Sequence, residues 1–352
     1  MVNELRIGNR VVGPGKPVYV VAELSANHDQ SLSRAEALVR AAAEAGADAI
    51  KLQTYTPDTM TLASDAEPFR IHGTIWDGRL LYDLYQEAQT PWEWHAPLMA
   101  LARELGLDCF SSPFDATAVD FLEALDAPVY KVASFELVDI PLLRRIAATG
   151  KPVIASTGMA TSPEIEEAVN TLRAGGAAAI ALLKCTSAYP AAPEEMDLRT
   201  IPDLAARFEL PVGLSDHTMD ETVPVAAVAL GACIVEKHLT LSRSHPGPDS
   251  AFSLEPQEFR AMVSAVRTAE RALGGVRYGP NRREEGSLRF RRSLFVAEDL
   301  QAGDLFTAAN IRCIRPADGL HPRHLDEVLG RRAARAVRRG TPLTWDLVAK
   351  NG

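Results

Sequence analysis

The chain has 352 residues, of which 47% are hydrophobic and 24% charged, a balance typical of a soluble globular protein. It contains no run of about 18 apolar residues and does not begin like a secretory signal, which argues against a membrane-spanning or exported protein and predicts a cytoplasmic one. The net charge of −9 is unevenly divided: residues 281–352 hold 14 Arg and Lys against 9 Asp and Glu, so the first 280 residues are strongly acidic. This division predicts a boundary near residue 280 between an acidic body and a small basic one.

Cysteine and glycine patterns exclude several classes of site. The four cysteines are far apart in apolar surroundings, and no Cys-x-x-Cys occurs, so neither a zinc ribbon nor a redox pair is expected. We predict that Cys109, Cys185, Cys233 and Cys313 are small buried hydrophobic residues. No Gly-x-Gly-x-x-Gly or Walker motif is present, so nucleotide chemistry is not indicated.

A repeated strand-then-helix pattern begins near the amino terminus. The apolar run 17–22 ends in Glu23 and is followed by a segment, 31–45, with helical spacing and Gly46 as its C-cap. The next apolar run ends in Lys51-Leu52-Gln53. Each run is the length of a buried strand, and each ends in polar residues.

The same unit recurs six more times. Further apolar runs end in polar residues at Ser111-Ser112, Lys131 to Glu136, Ser156-Thr157-Gly158, Lys184 to Ser187, Ser215-Asp216-His217 and Glu236-Lys237-His238. Eight such units over about 260 residues predict an α/β protein with a (β/α)8 TIM barrel, whose active site lies at the carboxyl ends of the strands. We assign the catalytic barrel to residues 1–275.

The last two strands end in histidines. Residues 219–230 between them have helical spacing, so a right-handed β-α-β unit places the strands side by side. Two neutral imidazoles at one sheet edge form half of a site for a divalent metal such as Mn²⁺, Zn²⁺ or Co²⁺. The alternative is that His217 and His238 each bond to nearby backbone.

One connection, residues 56–91, is much longer than the others and contains Ile71 to Asp77. Loops of this length in compact domains are often lids or binding loops. A solvent-facing excursion is the alternative, and the sequence does not decide between them.

A linker at 276–290 leads to a small domain at 291–352 with short strand and turn patterns. Its basic run, residues 331–339, raises the possibility of a carbohydrate- or nucleic-acid-binding protein without catalysis. The run is short, lacks interleaved aromatics and belongs to an acidic protein, so nucleic acid is not expected as a partner. Two interpretations of the basic run remain: it docks near an acidic surface or an anionic ligand, or it is simply exposed to solvent.

The strand ends together indicate the chemistry. Two lysines and several serines can surround a phosphate or carboxylate, since lysines supply charge and serines hydrogen bonds. Carboxylates and imidazoles suit a metal and proton transfer. The pattern therefore predicts a phosphorylated small substrate and a carbonyl to be polarised.

Seven motifs resemble the sialic acid synthase family, whose members condense phosphoenolpyruvate with an acylamino sugar to give a nine-carbon 2-keto acid. They are Glu23 to His28, Lys51 to Tyr55, Tyr130 to Glu136, Ser156 to Gly158, Lys184 to Pro190, Gly213 to His217 and Glu236 to His238. The stretch from Arg291, with Arg312 to Pro316, resembles the family's small β-rich antifreeze-like (SAF, β-clip) domain.

Within the family, Leu24-Ser25-Ala26 and Thr54-Tyr55-Thr56-Pro57-Asp58 are similar to the branch that makes pseudaminic acid for cell-surface glycans such as flagellin. The acceptor implied is 2,4-diacetamido-2,4,6-trideoxy-L-altrose, which lacks the 6-hydroxyl of N-acetylmannosamine. The alternatives are synthesis of N-acetylneuraminic or legionaminic acid.

The resemblance implies a role for each motif residue. His217 and His238 hold a divalent metal, with Mn²⁺ preferred over Mg²⁺ or Co²⁺. Both histidines are catalytic, as is Glu23, which orients or deprotonates water. A homodimer is implied, in which the SAF domain reaches the partner's barrel. Phosphoenolpyruvate binds at Lys51, Ser112, Lys131, Ser134, Ser156, Ser187 and Ser215. The sugar contacts Gln53, Glu136, Tyr189, Asp249 and, from the partner subunit, Arg315.

Overall fold

The computed structural model describes residues 4–245 and 247–350, in two compact units that meet in sequence between Gly274 and Gly275. Within those ranges, no helix combines the length and the apolarity needed to cross a membrane. The first unit opens with a short antiparallel hairpin, β1 (Leu5–Ile7) and β2 (Arg10–Val12).

Eight parallel strands follow and close into the predicted barrel. Strand β10 pairs with β9 on one side and with β3 on the other, where His238 lies opposite Glu23. The barrel prediction is therefore confirmed. The strands are β3 (Tyr19–Glu23), β4 (Ala49–Thr54), β5 (Asp108–Pro113), β6 (Tyr130–Val132), β7 (Val153–Ser156), β8 (Ile180–Cys185), β9 (Val212–Asp216) and β10 (Ile234–His238).

Helices surround the strands because one face of each is apolar. In the first, Leu38, Val39 and Ala42 are buried, the Ser31 side chain caps the amino end, and Gly46 ends the helix in the left-handed conformation, as predicted. The helices of this unit are α1 (Leu32–Ala45), α2 (Pro57–Met60), α3 (Leu81–Ala88), α4 (His95–Glu104), α5 (Ala116–Ala124), α6 (Ile140–Ala147), α7 (Ser162–Gly175), α8 (Thr200–Phe208), α9 (Thr222–Ala229) and α10 (Pro256–Leu273).

Alternation along the strands separates two environments. Outward residues such as Val20 and Val235 pack against the helices. Inward residues near the amino ends, including Tyr19, Phe110 and Ile154, form one apolar cluster with Leu5 and Ile7 of the hairpin. The hairpin thus closes the amino end of the barrel, and the polar positions lie at the carboxyl end.

The second unit is built on an antiparallel pair, β11 (Ser293–Val296) and β12 (Ile311–Ile314), with one short helix, α11 (Leu325–Val328). In the segment assigned as a linker, Glu285–Phe290 forms a 3₁₀ turn. The unit has its own core, formed by Leu294, Val296, Leu300, Phe306, Ile311, Val328, Ala333, Val337, Leu343, Leu347 and Val348.

The basic run at 331–339 is bonded into this unit. Arg331 and Arg332 donate to the carbonyls of Ala349 and Gly303, and Arg335 pairs with Asp346 at 2.8 Å. Ala333 and Val337 of the same run are buried. Much of the run therefore holds the small domain together.

Candidate active site

Lys51 lies at the centre of a buried charged cluster at the carboxyl end of the barrel. Its Nζ is 2.6 Å from Glu236 Oε1 and 2.7 Å from Glu23 Oε2. Lys131 Nζ lies 3.8 Å from the same Glu236 oxygen and donates a 2.7 Å hydrogen bond to Ser156 Oγ. Two ammonium groups thus oppose two carboxylates, so the charges balance and the cluster can be buried.

Burial lowers the pKa of Lys51 to about 8, although the charge of Glu236 opposes this shift. The Lys51 ammonium group therefore remains mostly protonated at neutral pH.

Glu236 Oε2 has no hydrogen-bond partner among the described residues, which leaves an acceptor for a ligand donor. Glu236 was recognised in the sequence as a strand-end residue but was not assigned a role.

The two predicted histidines converge. Their ring centres are 5.3 Å apart. His217 Nδ1 is 2.8 Å from the Thr186 carbonyl and His238 Nδ1 is 3.2 Å from Ser25 Oγ. Since a carbonyl can only accept, the Nδ1 of His217 carries a proton. Burial lowers the pKa of this ring, but its hydrogen bond with Cys185 raises it above the usual value. Burial keeps the pKa of His238 well below its usual value, so this second ring is neutral.

These two rings fit a shared divalent metal. Metal-ligand bonds of about 2.1 Å allow ring centres up to roughly 6.5 Å apart, and a ligand histidine commonly donates its other N–H to a carbonyl. The described residues contain no cluster of three or more His, Cys, Asp or Glu side chains suited to a metal. The imidazole pair is therefore a half-site.

Phe252, which sequence analysis missed, forms with the predicted Tyr189 an aromatic cluster against both imidazoles. Phe252 meets the His238 ring edge-on with centres 5.0 Å apart, and Tyr189 lies 4.5 Å from the His217 ring. Phe252 is almost fully buried and also contacts Tyr189 at 5.0 Å. It lies on a loop after β10, where no strand periodicity predicts which way its side chain points. The cluster restricts the orientation of both rings.

Ser134 and Ser187 converge on Gly158. The Gly158 amide donates to Ser134 Oγ at 3.2 Å, and a Cβ at this glycine would lie 2.4 Å from Ser187 Oγ. Only glycine therefore allows the two hydroxyls to approach so closely. With Lys131 nearby, the hydroxyls form a cradle suited to an oxyanion.

A cavity of about 410 Å³ joins these groups. Ser112 and Ser187 are not on its described lining, although the Ser112 hydroxyl is buried without a partner among the described residues. Arg315 belongs to the second unit, where it is exposed. The predicted residues that line the cavity are Glu23, Lys51, Gln53, Lys131, Ser134, Glu136, Ser156, Tyr189, Ser215, His217, His238 and Asp249.

The long connection lies against this cavity. This position favours a lid or binding loop over a solvent-facing excursion, the two interpretations that the sequence left open. Residues 56–90 supply Met60, Trp76 and Leu84, among others, to its lining. Cys185 is buried as predicted, but it also lines the cavity. Burial raises the pKa of its thiol, yet the hydrogen bond with His217 lowers it to about 6, so this cysteine is more than a hydrophobic residue. Its place two residues after inward-facing Leu183 could have indicated this. Cys109 and Cys233 are buried as predicted, and Cys313 is half-buried.

Comparison with known proteins gives the family. Residues 38–278 match the NeuB family and residues 291–349 match the SAF domain. The chain is 46% identical to pseudaminic acid synthase of Helicobacter pylori, over 96% of this chain and 99% of that protein. It is 34% identical to N,N'-diacetyllegionaminic acid synthase of Legionella pneumophila, over 95% of each.

Among solved structures, N-acetylneuraminic acid synthetase of Leptospira borgpetersenii superimposes with a TM-score of 0.73 at 30% identity, covering 83% of this chain and 97% of that one. These matches confirm the resemblance indicated by the seven strand-end motifs. The chain belongs to the NeuB family and carries a SAF domain after its barrel.

Proposed function

We propose that this protein condenses phosphoenolpyruvate with 2,4-diacetamido-2,4,6-trideoxy-L-altrose and water to give pseudaminic acid and phosphate. The observation that carries the reaction class is the presence in one cavity of the charged cluster with its two lysines, the hydroxyls of Ser134 and Ser156, and the imidazole pair. The choice of acceptor is supported by 46% identity to a pseudaminic acid synthase against 34% to a legionaminic acid synthase.

Phosphoenolpyruvate needs cations and hydroxyl donors around its two anionic groups. Lys51 and Lys131 supply the charge, and Ser134, Ser156 and Ser215 supply hydrogen bonds from the cavity lining. Binding would redirect Lys51 from its two carboxylates toward the ligand. The Ser187 hydroxyl lies beside Gly158, and it stays a predicted contact together with the buried Ser112 hydroxyl.

His217 and His238 would hold the divalent metal, Mn²⁺ ahead of Mg²⁺ or Co²⁺, through their Nε2 atoms. A metal bound there supplies Lewis acidity for the aldehyde oxygen of the open-chain sugar. The Thr186 carbonyl and Ser25 hydroxyl set the orientation of the two rings.

Glu23 is the proposed base. Its Oε1 accepts a 2.8 Å hydrogen bond from the Ser25 amide, and its Oε2 pairs with Lys51 at 2.7 Å. C3 of phosphoenolpyruvate attacks the aldehyde carbon, and the aldehyde oxygen takes up a proton to become a hydroxyl. The resulting positive charge at C2 is quenched by water, one proton of which passes to Glu23. The tetrahedral intermediate then loses the proton of its C2 hydroxyl, forms the 2-keto group and breaks its C2–O bond, so that phosphate leaves with the bridging oxygen.

The sugar would lie on Gln53, Glu136, Tyr189 and Asp249, which share the cavity with the charged cluster. The exposed Arg315 would approach an acetamido oxygen from the SAF domain of a second copy. Both assignments extend the family resemblance to individual residues of this chain.

The test is phosphate release with phosphoenolpyruvate and each of three acylamino sugars. We expect turnover with the diacetamido-trideoxy-altrose, and water labelled with heavy oxygen should leave its label on C2 of the product. Release only with N-acetylmannosamine, or only with the legionaminic acid precursor, would reassign the acceptor. Label in phosphate would exclude C–O cleavage.

A further inference from the structure

The active-site cavity has two chemically different sides. The strand ends supply charged groups such as Lys51, Glu236 and His238, whereas residues 56–90 supply a different surface. None of the described residues of this segment that line the cavity is charged. We call the apolar part of this surface the apolar wall and define it by Met60, Ile71, Trp76, Leu81 and Leu84. Ala88 and the two hydroxyl-bearing residues Thr74 and Tyr85 complete the share of the lining that this segment supplies.

The apolar wall is anchored rather than free. Trp76 Nε1 donates a 2.9 Å hydrogen bond to the Pro248 carbonyl, and its ring lies 5.9 Å from that of Tyr189. The end of the segment is held by a hydrogen bond between Thr90 Oγ1 and His28 Nε2, which lie 3.2 Å apart. A wall fixed at both places can discriminate between ligands by shape and polarity.

The wall is also incompletely covered. Leu84 is buried, but Met60, Ile71, Trp76 and Leu81 are only half-buried. A ligand methyl group placed against them would remove apolar surface from water, whereas a hydroxyl placed there would lose its hydrogen bonds to water. The tryptophan indole N–H cannot serve such a hydroxyl, because Pro248 already accepts from it.

We propose that the apolar wall is the specificity element of the acceptor site and that it recognises the methyl group at C6 of a deoxy sugar. This inference rests on the proposed function and deepens it, because it names the feature of the acceptor that the enzyme reads. An apolar pocket rejects an added hydroxyl by a factor on the order of 100, so the 6-deoxy sugar should be preferred by about that ratio.

The experiment is an internal competition with phosphoenolpyruvate, in which the enzyme receives equal amounts of the diacetamido-trideoxy-altrose and its 6-hydroxy analogue. Mass spectrometry of the two products gives the ratio of the two kcat/KM values. This ratio does not depend on the fraction of enzyme molecules that are active. Two variants with little change in volume, Met60→Gln and Leu81→Asn, place an amide on the wall. Each should lower the preference at least about tenfold while the KM for phosphoenolpyruvate stays constant.

The matched control is Leu62→Asn, since Leu62 belongs to the same segment but is 65% exposed and is not on the described lining. It should keep the wild-type ratio. Wild-type turnover with an unchanged ratio in Met60→Gln and Leu81→Asn overturns the wall proposal alone. No turnover by the wild type with either altrose sugar overturns the proposed acceptor instead, so the two failures are distinguishable.

Discussion

At the amino end of the barrel, inward-facing Tyr19, Phe110 and Ile154 pack with the hairpin in an apolar cluster, whereas four residues further along β3 the interior holds Glu23, paired with Lys51. Successive inward positions on one strand thus lie in opposite environments. The apolar layer stabilises the closed barrel, and the charged layer above it is held by mutual pairing. Separating stability from chemistry along each strand lets charged groups be buried without losing the fold.

The largest expected effect comes from the charged end. Replacing His238 with Ala removes one of two imidazoles and should abolish metal-stimulated phosphate release, because a single imidazole holds a divalent ion poorly. Manganese binding should weaken in parallel, as measured by the electron paramagnetic resonance signal of the free ion. The thermal midpoint of unfolding should change little. His72→Ala is the control, since His72 is exposed. Unchanged metal-dependent turnover in His238→Ala would remove the metal proposal.

At the apolar end, Ile7→Ala should affect stability alone. Ile7 is fully buried in the cluster below the strands, and a buried Ile→Ala change lowers the free energy of unfolding by about 2–5 kcal/mol. Denaturant unfolding measures this loss, and turnover per folded molecule should stay within about twofold. A large loss of turnover at unchanged stability would show that the two ends are not separable.

Gly158→Ala sharpens the comparison within the charged end. The new Cβ would lie 2.4 Å from Ser187 Oγ and 2.7 Å from Ser134 Oγ, so both hydroxyls must move. Misplacing positioning groups by about an ångström can lower a rate on the order of 100-fold. We expect the loss mainly in kcat/KM for phosphoenolpyruvate, measured by initial rates. Exposed Gly286, whose Cβ would meet nothing nearby, is the control for the same exchange.

The smallest effect is a pH dependence at the rim of the cavity. Burial raises the pKa of Glu136 from 4.5 to about 7, so between these values the folded protein holds a proton that the unfolded chain has released. Its contribution to stability therefore falls as pH rises from about 4.5 to 7. Glu136→Gln should remove this fall, and its thermal midpoint relative to wild type should rise from pH 5 to pH 8. A pH-independent difference would contradict the assignment.

How much of the site could be predicted depended on local periodicity. Glu23, Lys51 and Lys131 were identifiable because each follows an apolar run of strand length, and alternation places such ends inside a barrel. Trp76 and Leu84 were not, because apolar residues in helices and turns can face either the core or a cavity. Phe252 lies in a 3₁₀ turn after the last strand of the barrel, and the sequence around it shows no strand or helix periodicity.

The amino-acid sequence by itself determined the eight strand-then-helix units, the polar character of each strand end and the division near residue 275. Those features follow from hydrophobic spacing and turn residues, which act over a few residues at a time. Only the tertiary structure decided that Lys51 bridges Glu23 and Glu236, and that residues 56–90 face the cavity. Closure of the barrel brings β10 beside β3, and packing between distant segments directs loop side chains, so both depend on contacts that no local pattern encodes.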